Sequence, residues 1–242
     1  MGLDALGSGS DYTAFLDHLG VASLNLGFGG DEASGVYHSI YDTFAWFTQF
    51  SDGSFSHGVA LSQLVGTAIL RLSEAPVLPF QFTDYATTIS DYVEEIEQEH
   101  KKTPDAPSLD LSPVRAALGR LTTTGGAYEK AVARLSDTSP QALASRSSDL
   151  KALNSLLLTA ERLWRHEGGL PHRDWFKHLV YAPGLYTGYG VKTLPGIRES
   201  VEQKAWDDAR RYVPLVAAAI DKVSAQADKA SALLDRMTAG SR

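Results

Sequence analysis

Four long amphipathic stretches follow Pro79, and they constrain the fold more than any other feature of the 242-residue sequence. In each stretch apolar residues recur about every 3.6 positions, the period of a helix with one buried face. Turn signals such as "KKTPDAPS" and Gly168-Gly169 separate the stretches. The pattern predicts an antiparallel four-helix bundle. Its apolar positions run from Tyr85 to Ile96, from Val114 to Leu135, from Leu143 to Trp164 and from Val201 to Leu234.

The part of the sequence before "EAPVLPF" has a different pattern. A short helix capped by Ser10 or Asp11 is followed by "VASLNLGF", which is typical of a buried strand. Apolar residues between Ser54 and Leu72 then predict a largely buried helix. We therefore expect a mainly α fold, in which a helical bundle over residues 79–242 follows a small α/β segment over residues 1–78.

The connection over residues 168–195 is far longer than the loops that usually join bundle helices. It is rich in glycine and aromatic residues, with the sequence "GGLPHRDWFKHLVYAPGLYTGYGVKTLP". Long connections of this kind tend to be functional and packed on another surface. We expect it to cover a site.

Composition excludes several classes of function. The net charge is −7 and the basic residues are scattered, which argues against nucleic-acid binding. Cysteine is absent, so disulfides and thiol chemistry are excluded, while the compartment stays open. "VPLVAAAI" is far shorter than the roughly 20 residues that span a bilayer, so a soluble chain is expected. No signal peptide is visible, and Met1 leads directly into a Gly/Ser loop, which suggests a truncated start.

Metal-binding and nucleophilic motifs are incomplete. The chain has seven histidines, but it has no HExxH motif and no helical pair of histidines. By spacing alone, His38 is either a metal ligand or a hydrogen-bonded loop residue, and His172 with His178 forms no convincing pair. The Gly7–Ser10 loop lacks the lysine of a phosphate-binding loop, so a tight turn into a capped helix is favoured.

Four separated blocks resemble one known family. They are "LGSGSDYTAFLDHLGVASLNLGFG", "VYHSIYDTFAWF", "VLPFQFTDYA" and "LVYAPGLYTGYGVKTLPGI". Together they resemble the C-terminal third of glutamate carboxypeptidase II and its plant and fungal relatives, the family that includes the transferrin receptor. The resemblance covers essentially the whole chain and keeps the order of the blocks. It implies that residues 1–78 end a dizinc exopeptidase domain and that residues 79–242 form a homodimerisation bundle.

The resemblance also implies roles for individual residues. His38 falls on the last zinc ligand of the family, and Tyr37 falls on the tyrosine that hydrogen-bonds the oxyanion of the tetrahedral intermediate. Ser8, Gly9 and Ser10 fall on a loop that lines the substrate cleft. Tyr189 falls on a tyrosine that binds the terminal carboxylate of the substrate, which gives the long connection a purpose.

Some positions depart from the family pattern. Asn25 and Gly27 replace arginines, Gly188 replaces a lysine beside the pocket tyrosine, and Ser10 stands where the member that cleaves acidic dipeptides has asparagine. The first two changes remove cationic partners for carboxylates, which argues against a strict preference for acidic dipeptides. The pair Tyr37-His38 is retained, unlike in the transferrin receptor, which places the chain with the peptidases.

The resemblance implies that the remaining zinc ligands and the general-base glutamate of the family lie in a segment that precedes residue 1. A complete member would be a zinc-dependent exopeptidase with two zinc ions per site and a peptide substrate, whereas this chain alone is expected to be inactive and to hold no zinc. Its expected partners are a second copy and the missing N-terminal peptidase segment. Two alternatives stay open, a stand-alone dimerisation module and reconstitution with a separate chain. The complete protein could be membrane-anchored, vacuolar or extracellular.

Overall fold

Most of the described chain is helical, and the mainly α class predicted from the sequence is confirmed. The computed structural model describes residues 4–29, 35–137 and 139–239. The chain folds as two compact units: a bundle unit, made of residues up to Ser23 together with those from Pro76 onward, and an inserted unit, Leu24–Ala75. The boundary near residue 78 between peptidase and bundle segments stays a prediction. The helices are α1 (Phe44–Phe50), α2 (Ser56–Glu74), α3 (Phe82–Lys101), α4 (Ser112–Ala133), α5 (Pro140–Ala144), α6 (Ser147–Thr159), α7 (Pro195–Glu202) and α8 (Trp206–Ala239).

Three shorter segments and one small sheet complete the described elements. A π-helical turn spans Ala14–Leu19, and 3₁₀ turns span Arg134–Asp137 and Ala160–Trp164. Strands β1 (Tyr181–Pro183) and β2 (Val191–Thr193) form an antiparallel hairpin within the long connection. None of the described helices combines the length and apolar character needed to cross a membrane.

Side-chain pairs show how the bundle helices run. Between α3 and α4, Thr83 contacts Glu129 while Arg115 contacts Glu97, so the two helices are antiparallel. Between α4 and α8, the residue numbers of the paired side chains increase in the same direction. Arg120 pairs with Asp221 and Arg134 pairs with Asp235, and in each pair the partner lies 101 residues further along the chain. Helices α4 and α8 therefore run parallel, and they make the most extensive helix contact of the unit.

One core holds the bundle unit together. Helix α8 contributes an apolar residue at nearly every turn, as its sequence pattern predicts. Burial of such side chains is the main stabilising term, worth about 1.5–3 kcal/mol for each large aliphatic side chain. The fully buried core residues include Phe82, Ile89, Ile96, Val114, Leu121, Tyr128, Leu153, Leu157, Trp164, Ile197, Ile220 and Leu234.

The glycine pair in α4 does not break that helix. A Cβ on Gly125 would lie 3.0 Å from Cβ of Phe82 and 3.1 Å from the backbone nitrogen of Thr83, whereas a Cβ on Gly126 would meet nothing within 4 Å. Gly125 therefore lets α3 approach α4 closely, and this packing offsets the low helix propensity of glycine.

Two helices predicted as continuous are interrupted. The third stretch is divided into α5, α6 and a 3₁₀ turn, with a turn at residues 145–146 that no glycine or proline announces. The fourth stretch is divided between Glu202 and Trp206, where Lys204 has a positive φ of 59°. The apolar period identifies the buried face in both stretches, but it does not locate these breaks.

The inserted unit differs most from expectation. The strand predicted at "VASLNLGF" is wrong, because residues 21–28 are irregular and Leu24 is 60% exposed. A strand needs a partner for its backbone groups, and the described residues supply none beside it. Helix α2 forms as predicted, but its predicted burial is wrong, since Val59, Leu64 and Ile69 are each more than half exposed.

Candidate functional site

The hairpin presents Tyr189 on the surface of the bundle unit. The β1–β2 turn, Gly184–Gly190, is closed by a hydrogen bond from the Gly184 N–H to the Gly190 carbonyl (2.8 Å) and by a second from the Thr187 hydroxyl to the same carbonyl (2.9 Å). The Tyr189 side chain is 58% exposed, so its phenol is free to meet a ligand.

The N-terminal loop packs directly against Tyr189. The Ser8 N–H donates to the Tyr189 carbonyl (3.3 Å), and a Cβ on Gly7 would lie 2.5 Å from that same oxygen. Gly9 has a positive φ of 103°, and a Cβ there would come within 3.1 Å of the Tyr189 ring. The structure therefore brings Ser8, Gly9 and the adjoining, exposed Ser10 together with Tyr189 on one surface. Their roles in substrate binding stay predictions.

Replacing Gly7 by alanine is expected to detach the N-terminal loop from the hairpin. The new Cβ would lie within 3 Å of backbone atoms of both Tyr189 and Val191, which a rotamer change cannot relieve. Hydrogen exchange of the peptide covering residues 4–12 should accelerate, while exchange in α8 stays unchanged. Gly27→Ala is the matched control, because its Cβ would meet no atom of the described residues within 4 Å. Equal exchange in the two variants would contradict the packing described.

The π-helical turn fixes the same N-terminal segment to the long connection. The Asp17 carbonyl accepts hydrogen bonds from the Lys177 N–H (2.8 Å) and the His178 N–H (3.1 Å). His18 stacks on Trp175, with ring centroids 4.9 Å apart, and its Nδ1 lies 2.7 Å from the Trp175 carbonyl. The segment that carries Ser8, Gly9 and Ser10 thus has a second attachment to the connection that carries Tyr189.

The Asp17 carboxyl group is buried. The residue is 0% exposed, and neither carboxyl oxygen has a hydrogen-bond partner among the residues that the structure describes. Burial raises the pKa of Asp17 to about 8, and the nearby Arg173 guanidinium opposes this only in part. The raised pKa favours the neutral acid form of Asp17 at neutral pH, an arrangement that the sequence did not suggest.

A buried carboxylate joins the hairpin to the bundle. Glu161 accepts a hydrogen bond from the Tyr85 hydroxyl (2.8 Å) and lies 3.0 Å from Nε2 of His178. The N–H groups of Val180 and Tyr181 point at Nδ1 of His178, at 3.2 and 3.0 Å, so Nδ1 is the acceptor and Nε2 donates to Glu161. Burial, followed by the charge of Glu161, raises the pKa of Tyr85 well above its usual value. His178 is thus a structural residue that orients the start of β1.

Replacing Glu161 by glutamine is expected to lower the free energy of unfolding by about 1.5–3 kcal/mol. The Tyr85 hydroxyl and Nε2 of His178 each donate to one carboxylate oxygen, and both hydrogen bonds lose their charge assistance when the carboxylate becomes an amide. Thermal unfolding followed by circular dichroism measures the loss. Glu167→Gln is the control. Glu167 pairs with Lys177 and Arg165 but is exposed, so its loss should stay within about 1 kcal/mol. Equal losses would argue against the buried network.

The other two predicted site residues lie in the inserted unit. The rings of Tyr37 and His38 stack at 3.9 Å, both residues are exposed, and His38 has a positive φ of 63°. A left-handed conformation is uncommon for a residue other than glycine, and such conformations cluster at functional sites. Among the described residues, no group of three or more His, Asp or Glu side chains gathers to hold a metal ion. A single imidazole does not make a zinc site, so the described part of the chain fits zinc only as one ligand among several.

Neighbouring side chains of the inserted unit leave a large apolar surface exposed. Asp52 caps α2 by accepting the Gly58 N–H (3.0 Å), and this bond lowers the pKa of Asp52. Elsewhere in the inserted unit many large apolar side chains face solvent, far more than single scattered residues. They include Ile40, Tyr41, Phe44, Phe50, Phe55, Ile69, Leu70 and Leu72.

The helical bundle matches a known family of protein domains. Residues 109–227, which begin just before α4 and end within α8, match the transferrin receptor-like dimerisation domain. This match confirms, for residues 109–227, the family that the sequence resemblance predicted.

Several curated relatives match most of the chain. It is 31% identical over 225 residues to the probable glutamate carboxypeptidase LAMP1 of Arabidopsis thaliana, covering 90% of this chain and 31% of the relative. It is 34% identical over 218 residues to a probable glutamate carboxypeptidase of Arthroderma benhamiae, covering 89% and 29%. It is 24% identical over 237 residues to the aminopeptidase NAALADL1 of Rattus norvegicus, covering 92% and 31%. The chain thus spans about a third of the length of these relatives.

Proposed function

We propose that this chain is the C-terminal portion of a zinc-dependent exopeptidase resembling glutamate carboxypeptidase, and that it forms a homodimer through its bundle. The observation that carries the proposal is the contact of the Gly7–Ser10 loop with Tyr189. These two segments lie far apart in sequence, and the family resemblance assigns both to one substrate cleft. Their contact supports a cleft wall built by this chain.

Each predicted residue has a chemical task in this proposal. Tyr189 would donate its phenol to the terminal carboxylate of a peptide, with Ser8, Gly9 and Ser10 lining the cleft beside it. Tyr37 would donate to the oxyanion that develops at the scissile carbonyl, which stabilises the transition state more than the ground state. His38 would supply one nitrogen to a dizinc centre. Zinc, when bound, makes water a nucleophile at neutral pH and polarises a carbonyl group.

The exposed apolar surface of the inserted unit supports the presence of a larger peptidase portion. Side chains such as Phe44, Phe55 and Ile69 are the kind that a neighbouring sheet or helix would cover. A stand-alone module that dimerises only through its bundle would leave this surface uncovered. Binding of a hydrophobic dye to the purified chain, reduced by Phe44→Ser with Phe55→Ser, would favour the proposal. A chain that binds no dye would favour the stand-alone module.

The purified chain tests two further parts of the proposal. Light scattering at tens of micromolar is expected to give the mass of a dimer, and metal analysis is expected to find well under one zinc per chain. A monomer would overturn the dimerisation claim. Two tightly held zinc ions, or peptidase turnover by the chain alone, would overturn the claim that the metal centre needs further ligands.

A chimera tests the site itself. Residues 1–242 replace the matching segment of the Arabidopsis thaliana relative, and the folded dimer is assayed for peptide hydrolysis. Tyr189→Phe should raise KM roughly 10–100-fold, because a hydrogen bond to a charged group is worth about 1.5–3 kcal/mol. Tyr37→Phe should lower kcat by about 10²–10³. The control is Tyr186→Phe, a change in the same turn at an 83% exposed residue. A folded, active chimera that is insensitive to Tyr189→Phe and Tyr37→Phe would contradict the assigned roles.

A further inference from the structure

A buried ion pair holds the start of the Gly184–Gly190 turn, which carries Tyr189. One guanidinium nitrogen of Arg173 donates to the Pro183 carbonyl, the last residue of β1, and another donates to Oε2 of Glu199 in α7. The other oxygen of Glu199 accepts the Leu185 N–H at 2.6 Å. The pair thus holds the backbone on both sides of Gly184.

Burial makes this pair different from the other ion pairs near the hairpin. The side chains of Arg173 and Glu199 are each only 10% exposed, whereas Lys192 and Glu202, which link β2 to α7, are 22% and 32% exposed. Removing one partner of a buried pair leaves an uncompensated charge, and removing one partner of an exposed pair does not. The Arg173–Glu199 pair therefore holds its backbone partners far more firmly.

The two ends of the turn are held by separate groups. The Gly184 end is gripped by Arg173 and Glu199, and the Tyr189 end rests on the N-terminal loop. Between them the turn is exposed, and Tyr189 itself makes no bond to either charged residue among those described. The Gly184 end of the turn is thus fixed by two residues that have no proposed contact with a ligand.

We propose that Arg173 and Glu199 are positioning residues that fix the Gly184–Gly190 turn and thereby aim Tyr189. The link from turn position to ligand binding rests on the function proposed above for Tyr189, whereas the control of the turn itself does not.

Hydrogen exchange of the turn tests the first half of this proposal on the full chain. Glu199→Gln keeps an acceptor but removes the charge that balances Arg173, so exchange of the peptide covering residues 184–190 should rise about tenfold or more. Glu202→Gln is the matched control on the same helix and should change exchange less than about twofold. Arg173→Lys keeps the positive charge but loses the planar guanidinium that donates to both the Pro183 carbonyl and Glu199, so an intermediate rise in exchange is expected. Unchanged exchange in Glu199→Gln, with exchange in α8 also unchanged, would overturn the proposal.

Kinetics of the active chimera test the second half. Glu199→Gln should raise KM about tenfold, with a smaller change in kcat, because binding of the terminal carboxylate is weakened and Tyr37 is untouched. Accelerated exchange without a change in KM would show that the ion pair fixes the turn but that Tyr189 does not bind the substrate. That outcome overturns the role proposed for Tyr189 and leaves the control of the turn standing.

Discussion

Replacing Trp164 by alanine is expected to lower the free energy of unfolding by about 3–5 kcal/mol, the range for deleting a large buried aromatic side chain. Trp164 is 1% exposed and stacks on Tyr85 with ring centroids 5.6 Å apart. It lies in the 3₁₀ turn that carries Glu161, so its loss opens a cavity beside the buried network. Urea unfolding followed by circular dichroism at about 222 nm, the helical band, measures the change without depending on tryptophan fluorescence.

Trp175→Ala is the matched control for this prediction. Trp175 is 45% exposed and stacks on His18 at the surface, so its replacement should cost less than about 1 kcal/mol. The difference between the two variants removes the common effect of losing a tryptophan from the unfolded chain. If the two losses agreed within error, the region around Trp164 would not be the tightly packed core described above.

The second large effect concerns pH and depends on Asp17. Its pKa is raised to about 8 in the folded chain, and the usual value near 3.8 applies when the chain unfolds. Between these values the folded state holds a proton that the unfolded state releases, so stability falls as pH rises from about 4 to 8 and then levels off. The slope reaches about 1.4 kcal/mol per pH unit at most. Asp17→Asn removes this ionisation while keeping the shape of the side chain.

Unfolding free energies at about pH 5, 6, 7 and 8 are compared between the wild-type chain and Asp17→Asn. The other titrating groups are the same in both chains, so their contributions cancel in the difference between the two unfolding free energies. We expect the stability of Asp17→Asn relative to the wild-type chain to increase from about pH 5 to about pH 8. The Arg173 guanidinium lowers the pKa of Asp17, Asp17 in turn raises the pKa of the Tyr12 phenol, and both neighbours stay in place in the variant. A difference that does not vary with pH would show that Asp17 is ionised in the folded chain.

The sequence predicts the bundle helices well because their buried faces repeat. The stripes in α3, α4 and α8 coincide with buried residues such as Ile89, Leu121 and Ile220. The period does not show which helix each face meets, so the parallel contact of α4 with α8 could not be predicted. The period also does not show whether another element covers an apolar face, so the exposure of the apolar face of α2 could not be predicted.

The sequence predicts some residues of the candidate site but not the buried charged residues around it. Ser8, Gly9 and Tyr189 were selected by resemblance, and no spacing rule could have shown that they touch. Asp17 and Glu161 were missed, because single acidic residues in amphipathic segments are indistinguishable from solvated ones until burial is known. Arg173 and Glu199 lie in the motif "HRDW" and in α7, where only the contact across the hairpin reveals their pairing.

The bundle unit is assembled from two stretches of chain separated by the inserted unit, and this has a consequence for biosynthesis. The Gly7–Ser10 loop leaves the ribosome long before its partner Tyr189 is translated. Until then the contacts of the loop with Tyr189, and of the π-helical turn with Lys177 and His178, cannot form. In a nascent chain stalled before the hairpin, this loop would therefore be open to proteases, and protection would appear only when translation has passed β2.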